Sequence, residues 1–129
     1  MNYLLDTCAL IWLVNGDRQL SSEAARLCGD PESQLCVSAA SAWEIALKSA
    51  RRKLSLRVSP EVWWGRALEQ HELEELPVTS RIAISAAALE EIHNDPFDRV
   101  LVATASEHGL IILTPDRVIS QYRNVRVVW

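Results

Sequence analysis

The most constraining feature of this sequence is an apolar run, Leu110 to Leu113, that no polar residue interrupts. Such a run is typical of a strand buried on both faces, as in a parallel sheet that helices cover. A weaker candidate strand spans residues 73–78, where Pro77 disfavours a strand. Three further short segments have the character of strands: Leu4-Leu5, Leu35 to Val37, and Val125 to Val128.

The segments between these strands carry helical patterns. Apolar residues recur at spacings of three and four from Trp43 to Ala50 and from Ile82 to Leu89. Asp95 before Pro96 is typical of a helix N-cap followed by proline in the first turn, and Gly109 has the position of a C-terminal cap. Because strands and helices alternate, the sequence predicts an α/β fold with a central, mainly parallel sheet.

Length and composition indicate one globular domain over residues 1–129. Hydrophobic residues make up 49% of the chain and charged residues 23%, which is ordinary for a folded domain. The apolar stretches are far shorter than the roughly 18 residues of a membrane span. The N-terminus has no basic residue before Arg18, so we expect no secretory signal and a cytoplasmic location. The cysteines lack the number and spacing of a disulfide framework or a zinc site.

Acidic residues stand at the edges of four apolar segments. In open α/β sheets, ligands bind beyond the carboxyl ends of the strands, so these carboxylates can converge in one crevice. Two carboxylates about 4 Å apart repel by roughly 4 kcal/mol at an effective dielectric constant near 20, so a cluster needs protons or cations. Mg²⁺ and Mn²⁺ prefer oxygen ligands, and such sites commonly hydrolyse or transfer phosphoryl groups. The four candidates are Asp6, Glu44, Asp98 and Asp116.

Two of these acids also have a purely structural interpretation early in the chain. Asp6 has the position of an N-cap for a helix that starts near Cys8. Ser41 and Glu44 have the spacing of a capping box, and Glu44 with Lys48 forms a favourable i, i+4 ion pair. Taken alone, Glu44 is explained by these contacts.

The later acids are open to the same reading. Asp95 is best explained as the N-cap ahead of Pro96, and we assign it to structure. Asp98 would complement the helix dipole, and Asp116 would cap a last short helix. The joint placement of the four candidates at predicted strand and helix ends is what favours a site.

The net charge of −4 argues against tight nonspecific binding to a polyanion. One or two divalent cations among four carboxylates would bring the local charge to about −2 or 0. A basic run at the end of a predicted helix then has two interpretations: a solvated helix end, or phosphate contacts that position a nucleic acid. The run consists of Lys48, Arg51, Arg52 and Lys53.

The histidines and tryptophans carry weaker signals. The three histidines have no ligand spacing, and we expect them at the surface or at helix ends. We expect the tryptophan pairs in the core or at an interface, rather than as platforms for stacked bases. These residues are His71, His93 and His108, and Trp12 with Trp43 and Trp63 with Trp64.

In these segments the chain resembles the PIN-domain nucleases, and most closely the VapC-type toxins of bacterial toxin–antitoxin systems. Together, four motifs in this order and spacing are fairly specific. The resemblance implies a three-layer α/β/α sandwich and an endoribonuclease that depends on Mg²⁺ or Mn²⁺, is inhibited by a small cognate antitoxin and is usually a homodimer. The motifs are Leu4-Leu5-Asp6-Thr7, Ser41 to Lys48, His93 to Arg99 leading into Val100 to Ala103, and Leu113-Thr114-Pro115-Asp116.

The resemblance also implies roles for individual residues. Asp6, Asp98 and Asp116 would be the main metal ligands, and Glu44 would bind a second ion or orient water. The expected supporting residues are Thr7, Thr114 and Lys48, and the expected RNA contacts are Arg51, Arg52 and Lys53.

Two other classes of protein stay open at this point. A receiver-type phosphoacceptor domain also gathers acids around Mg²⁺, but it needs a paired acidic dipeptide early in the chain and a late lysine, and neither is evident. A noncatalytic metal- or nucleic-acid-binding module on the same fold is harder to separate, because a sequence does not show whether the acids converge.

Overall fold

Five short strands form one fully parallel sheet in the computed structural model, which describes residues 1–129. The sheet order is β3-β2-β1-β4-β5, so β1 lies at the centre. The four predicted strands are confirmed, and the weaker fifth one exists as β3, which ends just before Pro77. The strands are β1 (Asn2–Leu5), β2 (Gln34–Ser38), β3 (Glu74–Leu76), β4 (Ile111–Leu113) and β5 (Arg126–Val128).

Six α-helices connect the strands, and none is long and apolar enough to cross a membrane. Two of them, α2 and α4, were not predicted, although Ser21 and Ser59 cap them in the expected way and Pro60 opens α4. A 3-10 turn, Ile119–Gln121, precedes β5. The helices are α1 (Thr7–Asn15), α2 (Ser22–Gly29), α3 (Ala39–Ala50), α4 (Pro60–Gln70), α5 (Ser80–Ala88) and α6 (Pro96–His108).

Both faces of the sheet are buried, which confirms the three-layer sandwich. Leu5 points into a core shared with α1, α3 and α4, where it joins Leu10 and Trp63. Leu4, its neighbour in β1, points to the opposite face and packs with Leu101 of α6. This alternation follows from the pleat of a strand, whose successive side chains leave on opposite faces.

The helices begin directly after the strands, and their caps fix where each side chain emerges. Asp6 caps α1 by accepting a hydrogen bond from Ala9 N at 2.7 Å. Ser38 caps α3, so the predicted capping box of Ser41 and Glu44 is wrong. Because α3 starts at residue 39, both of those side chains lie inside the helix and are free to point toward α1.

One arginine organises the irregular segment between α5 and α6. Arg99 of α6 donates hydrogen bonds, at 2.9 to 3.3 Å, to backbone carbonyls at the end of α5 and in this segment. The Tyr122 hydroxyl accepts from His93 N at 2.9 Å, which fixes the segment from a second side. The carbonyls bound by Arg99 are those of Ala86, Ala87, Leu89, Glu90 and His93.

We expect Arg99→Lys to lower the free energy of unfolding by about 1–3 kcal/mol, because an ammonium group cannot reproduce the planar fork that reaches several carbonyls at once. Urea denaturation measures this loss. Arg26→Lys is the matched control, since Arg26 makes only an exposed ion pair with Glu23, and we expect almost no change there. Equal stability of Arg99→Lys and the wild type would contradict the role of Arg99.

Candidate active site

The four predicted acids line one cleft at the carboxyl ends of β1, β2 and β4. Its volume is about 240 Å³. The pairing of Leu5 with Leu113 places the ends of β1 and β4 side by side, and α3 and α6 bring their acids from above the sheet edge. The lining residues are Asp6, Thr7, Cys8, Glu44, Lys48, Asp95, Asp98, Pro115 and Asp116.

Asp6 lies at the bottom of this acidic cleft and is only 5% exposed. One carboxylate oxygen caps α1, while the other accepts a hydrogen bond from the Thr114 hydroxyl. Thr114 Oγ1 in turn accepts from Asp116 N at 3.1 Å. The structural and the chemical interpretations of Asp6 are therefore compatible, because only Oδ1 is used to cap α1. Oδ2, bonded to Thr114, does not take part in the cap.

Glu44 is buried against α1 and is bonded through both carboxylate oxygens. Oε1 accepts from Thr7 Oγ1 at 2.6 Å, and Oε2 lies 2.9 Å from Lys48 Nζ. The predicted i, i+4 pair with Lys48 is thus confirmed. Because Thr7 donates to Glu44, the Ser41 hydroxyl at 3.0 Å donates to Thr7. This chain of hydroxyls fixes the carboxylate at the rim of the acidic cleft.

His93 bridges the other two acids, so the prediction of a surface or helix-end position for it is wrong. Its Nε2 lies 2.8 Å from Asp116 Oδ2 and 3.2 Å from Asp98 Oδ2. Its Nδ1 accepts the backbone N–H of Asp95 at 3.0 Å, so the neutral ring carries its proton on Nε2 and donates it to Asp116. The only hint in the sequence is the short spacing of His93 before Asp98.

A family model for the PIN domain matches residues 3–125 of this chain. The chain belongs to the PIN-domain family. Ribonuclease VapC22 of Mycobacterium tuberculosis is 31% identical to it over 126 residues, which cover 97% of this chain and 95% of the relative. The predicted resemblance to PIN-domain nucleases of the VapC type is therefore confirmed.

Solved structures agree on the fold. VapBC2 of Rickettsia felis, bound to a DNA fragment from its promoter, matches with a TM-score of 0.71 and 14% identity, over 99% of this chain and 98% of that one. A toxin–antitoxin complex from Klebsiella pneumoniae matches with a TM-score of 0.68 and 22% identity, over 98% and 96%. At such identities the comparison establishes the PIN fold.

Burial and mutual repulsion leave two acids of this PIN domain reluctant to ionise. Burial raises the pKa of Asp6 to about 6, and the charges of Asp116 and Glu44 add to this against the hydrogen bonds from Thr114 and Ala9. Burial and the neighbouring Asp95 raise the pKa of Asp98 to about 7, although His93 opposes the shift. A cation in the acidic cleft would remove this penalty.

Two other groups that line the acidic cleft, Asp116 and Cys8, also have shifted pKa values. Burial would raise the pKa of Asp116, but hydrogen bonds from His93 and from the backbone N–H of Val118 outweigh it, so the pKa is lowered. Burial and the charge of Asp6 raise the pKa of the Cys8 thiol to about 11. Cys8 is therefore a neutral thiol near pH 7, and it is not an activated nucleophile.

The donor set fits a hard divalent cation. Ligand atoms of His93, Asp98 and Asp116 all lie within 4.8 Å of one another, and Asp6 approaches them from the sheet. Carboxylate oxygens suit Mg²⁺ and Mn²⁺, whereas His93 stands beside the site as a hydrogen-bond donor, because its Nε2 carries the proton and its Nδ1 accepts from Asp95 N. Raised pKa values among closely placed acids are the electrostatic signature that such an ion would neutralise.

The predicted RNA contacts separate into two groups. Lys48, Arg51 and Lys53 line a groove that adjoins the acidic cleft, with a volume of about 230 Å³. Arg52 does not: it has a left-handed backbone, with φ of 56°, and lines a different depression beside Leu54 to Val58. The change of direction after α3 thus turns neighbouring cations to different surfaces.

The predicted tryptophan pairs are also partly wrong. Trp63 is buried in the core, as expected. Trp12 packs against Trp129 with ring centroids 5.8 Å apart, not against Trp43. Trp43 is 64% exposed and contacts Phe97 edge to face at 5.1 Å. It belongs to neither core.

We expect the metal-free PIN domain to lose stability as the pH rises from about 4 to 7. The pKa of Asp98 is about 7 in the folded chain against an ordinary value of 3.8, so the folded state binds more protons than the unfolded state in that window. Asp98→Asn removes the ionisation at constant size. Its thermal denaturation midpoint in chelator at pH 8 should exceed the wild-type midpoint by several degrees, roughly 3–10 °C.

The difference between the two proteins should disappear near pH 4, where both side chains are neutral, so the acid sample is the internal control. A gap of the same size at both pH values would show that Asp98 ionises normally in the fold.

Proposed function

We propose that this PIN domain is an endoribonuclease that depends on Mg²⁺ or Mn²⁺ and acts as the toxin of a toxin–antitoxin pair. The observation that carries the proposal is the convergence of Asp6, Glu44, Asp98 and Asp116 in one cleft at the carboxyl edge of the sheet. The ribonuclease name of its relative supports the substrate class. The antitoxin complexes among its structural neighbours support the partner.

In this proposal, Asp6, Asp98 and Asp116 hold the cation. When bound, a divalent cation orients the scissile phosphate, offsets its developing charge and lowers the pKa of a bound water. His93 donates its Nε2 proton to Asp116 and lies 3.2 Å from Asp98, so it would keep both carboxylates turned toward the cleft. Glu44, fixed by Thr7 and Lys48, is placed to orient a second ion or the attacking water.

Lys48 supplies the positive charge nearest to these acids. It balances Glu44 at 2.9 Å and lines both the acidic cleft and the adjoining groove, so it lies where a phosphate would pass from the groove to the acids. Contacts of this kind position a nucleic acid without reading its sequence. The proposed enzyme therefore takes RNA as an extended backbone, and any selectivity for a cleavage site must come from other surfaces.

We expect Asp6→Asn, Asp98→Asn and Asp116→Asn each to reduce RNA cleavage by a factor of about 10² or more, because each removes a ligand charge while keeping side-chain size. Digestion of total RNA with Mg²⁺ or Mn²⁺, with and without EDTA, measures this. Asp17→Asn is the matched control, since Asp17 is outside the acidic cleft and caps only the Gln19 turn. Wild-type cleavage by Asp6→Asn and Asp116→Asn would overturn the assignment.

The same digests fix the chemistry through the product ends. Attack by the RNA's own 2′-hydroxyl commonly needs a general base and a general acid, and His93 is the single imidazole that contacts these acids. We therefore expect 5′-phosphate and 3′-hydroxyl ends, produced by water. A 2′,3′-cyclic phosphate, or full activity in EDTA, would reject this mechanism. Binding of Mn²⁺ and RNA without any cleavage would instead favour the noncatalytic module.

We expect expression of the chain alone to arrest bacterial growth, and co-expression of the reading frame beside its gene to relieve the arrest. The inhibitor should cover apolar surface near the tryptophans and reach the acidic cleft with an arginine or lysine. Asp116→Asn should be harmless alone and still bind the inhibitor in a pull-down. Absence of both toxicity and binding would contradict the toxin role.

Homodimer formation stays a prediction, which light scattering on the purified chain tests.

A further inference from the structure

The groove that adjoins the acidic cleft contains none of the proposed metal ligands Asp6, Asp98 and Asp116. It is lined by both cationic and apolar side chains. One wall carries the cationic side chains of Lys48, Arg51 and Lys53, and the other carries Pro96 and Phe97 at the start of α6. We call this the basic groove. Glu44, Lys48 and Asp95 line both it and the acidic cleft, so the two are continuous.

An exposed tryptophan that packs on Phe97 extends the second wall of the basic groove. Trp43 of α3 contacts Phe97 edge to face, with an angle of 73° between the ring planes, and 64% of Trp43 remains exposed. The exposed indole of Trp43 lacks the hydrophobic stabilisation that burial gives to Trp63 in the core. The contact with Phe97, which lines the basic groove, holds Trp43 at this wall without covering it.

We propose that the basic groove and Trp43 form a subsite for one nucleotide of single-stranded RNA, next to the phosphate that is cut. The base stacks on the Trp43 ring, which Phe97 holds edge to face, and the phosphate contacts Arg51 and Lys53. This inference rests on the proposed ribonuclease function and adds to it the surface that the RNA strand follows as it leaves the acidic cleft. Stacking on an aromatic side chain beside a cationic track is how proteins bind single strands without reading sequence.

The charges of the basic groove favour RNA over a protein partner. Lysine is depleted at the centres of protein interfaces, whereas Lys48 and Lys53 line the same groove as Phe97. The three cations of the basic groove outnumber its carboxylates, Glu44 and Asp95, by one formal charge (3 − 2), and Glu44 is paired with Lys48. In a chain of net charge −4, the remaining positive charge at Arg51 and Lys53 suits a polyanion.

The test measures binding without cleavage. A fluorescein-labelled single-stranded RNA is titrated in EDTA against the full chain carrying Asp116→Asn, and anisotropy gives the affinity. Adding Trp43→Leu should weaken binding about 5- to 100-fold and abolish most of the quenching of tryptophan emission, whereas Trp43→Phe should recover much of the affinity. Ile84→Ala, at another exposed apolar side chain, should change neither.

The cationic wall has its own matched pair. Arg51→Ala should reduce the slope of log affinity against log salt by about 0.7, as expected for one lost phosphate contact on a single strand. Arg52→Ala removes the same charge outside the basic groove and should leave the slope unchanged.

Unchanged RNA affinity in Trp43→Leu and Arg51→Ala would overturn the subsite, even if the wild-type chain cleaves RNA normally. A Trp43→Leu variant that keeps its RNA affinity but loses the inhibitor, or changes its mass in light scattering, would assign the surface to a protein partner instead. Failure of the proposed function is a separate result, namely no cleavage with either metal by a wild-type chain that binds RNA.

Discussion

The pairing of β1 with β4 is the interaction on which the rest of this structure depends. Because Leu5 is opposite Leu113, the residues that follow, Asp6 and Thr114, emerge side by side and form a hydrogen bond. A shift of register by one residue would send every side chain of β1 to the opposite face, so the fully buried Leu4 and Leu5 would each leave the core into which they pack. The hydrophobic core on both faces therefore fixes the position of a polar pair at the sheet edge.

Hydrogen-bond donors hold the acidic cleft together by offsetting part of the repulsion between its carboxylates. Thr7 and Lys48 contact Glu44, Thr114 contacts Asp6, and His93 donates to Asp116 and lies 3.2 Å from Asp98. Two of these donors are themselves fixed by further contacts: Asp95 N donates to His93 Nδ1, and Thr7 contacts the Ser41 hydroxyl. Even so, Asp6 and Asp98 keep raised pKa values, so these donors compensate for the repulsion only in part.

How far the sequence predicts this arrangement depends on the range of the contacts involved. The strands and the ends of α6 are local, and the apolar run at Leu110 and the Asp95-Pro96 and Gly109 signals predict them correctly. The capping box of Ser41 fails because the competing cap, Ser38, begins α3 earlier. His93 is missed because its position is set by Arg99 and Tyr122, and no local pattern shows which carbonyls a distant arginine will bind.

Arg99 also explains how stability and chemistry are divided in α6. The helix begins at Pro96 with Asp98 in its first turn, and the next residue, Arg99, points away from the acids to hold the segment that carries His93. One helical turn thus supplies an acid to the cleft and positions the histidine that bridges this acid to Asp116. Pro96 and Phe97 lie in the same helical turn and line the basic groove. The orientation of α6 therefore sets this wall of the groove as well. A tilt of this helix would move all three features together, so the acidic cleft and the basic groove are expected to be preserved or lost as one unit.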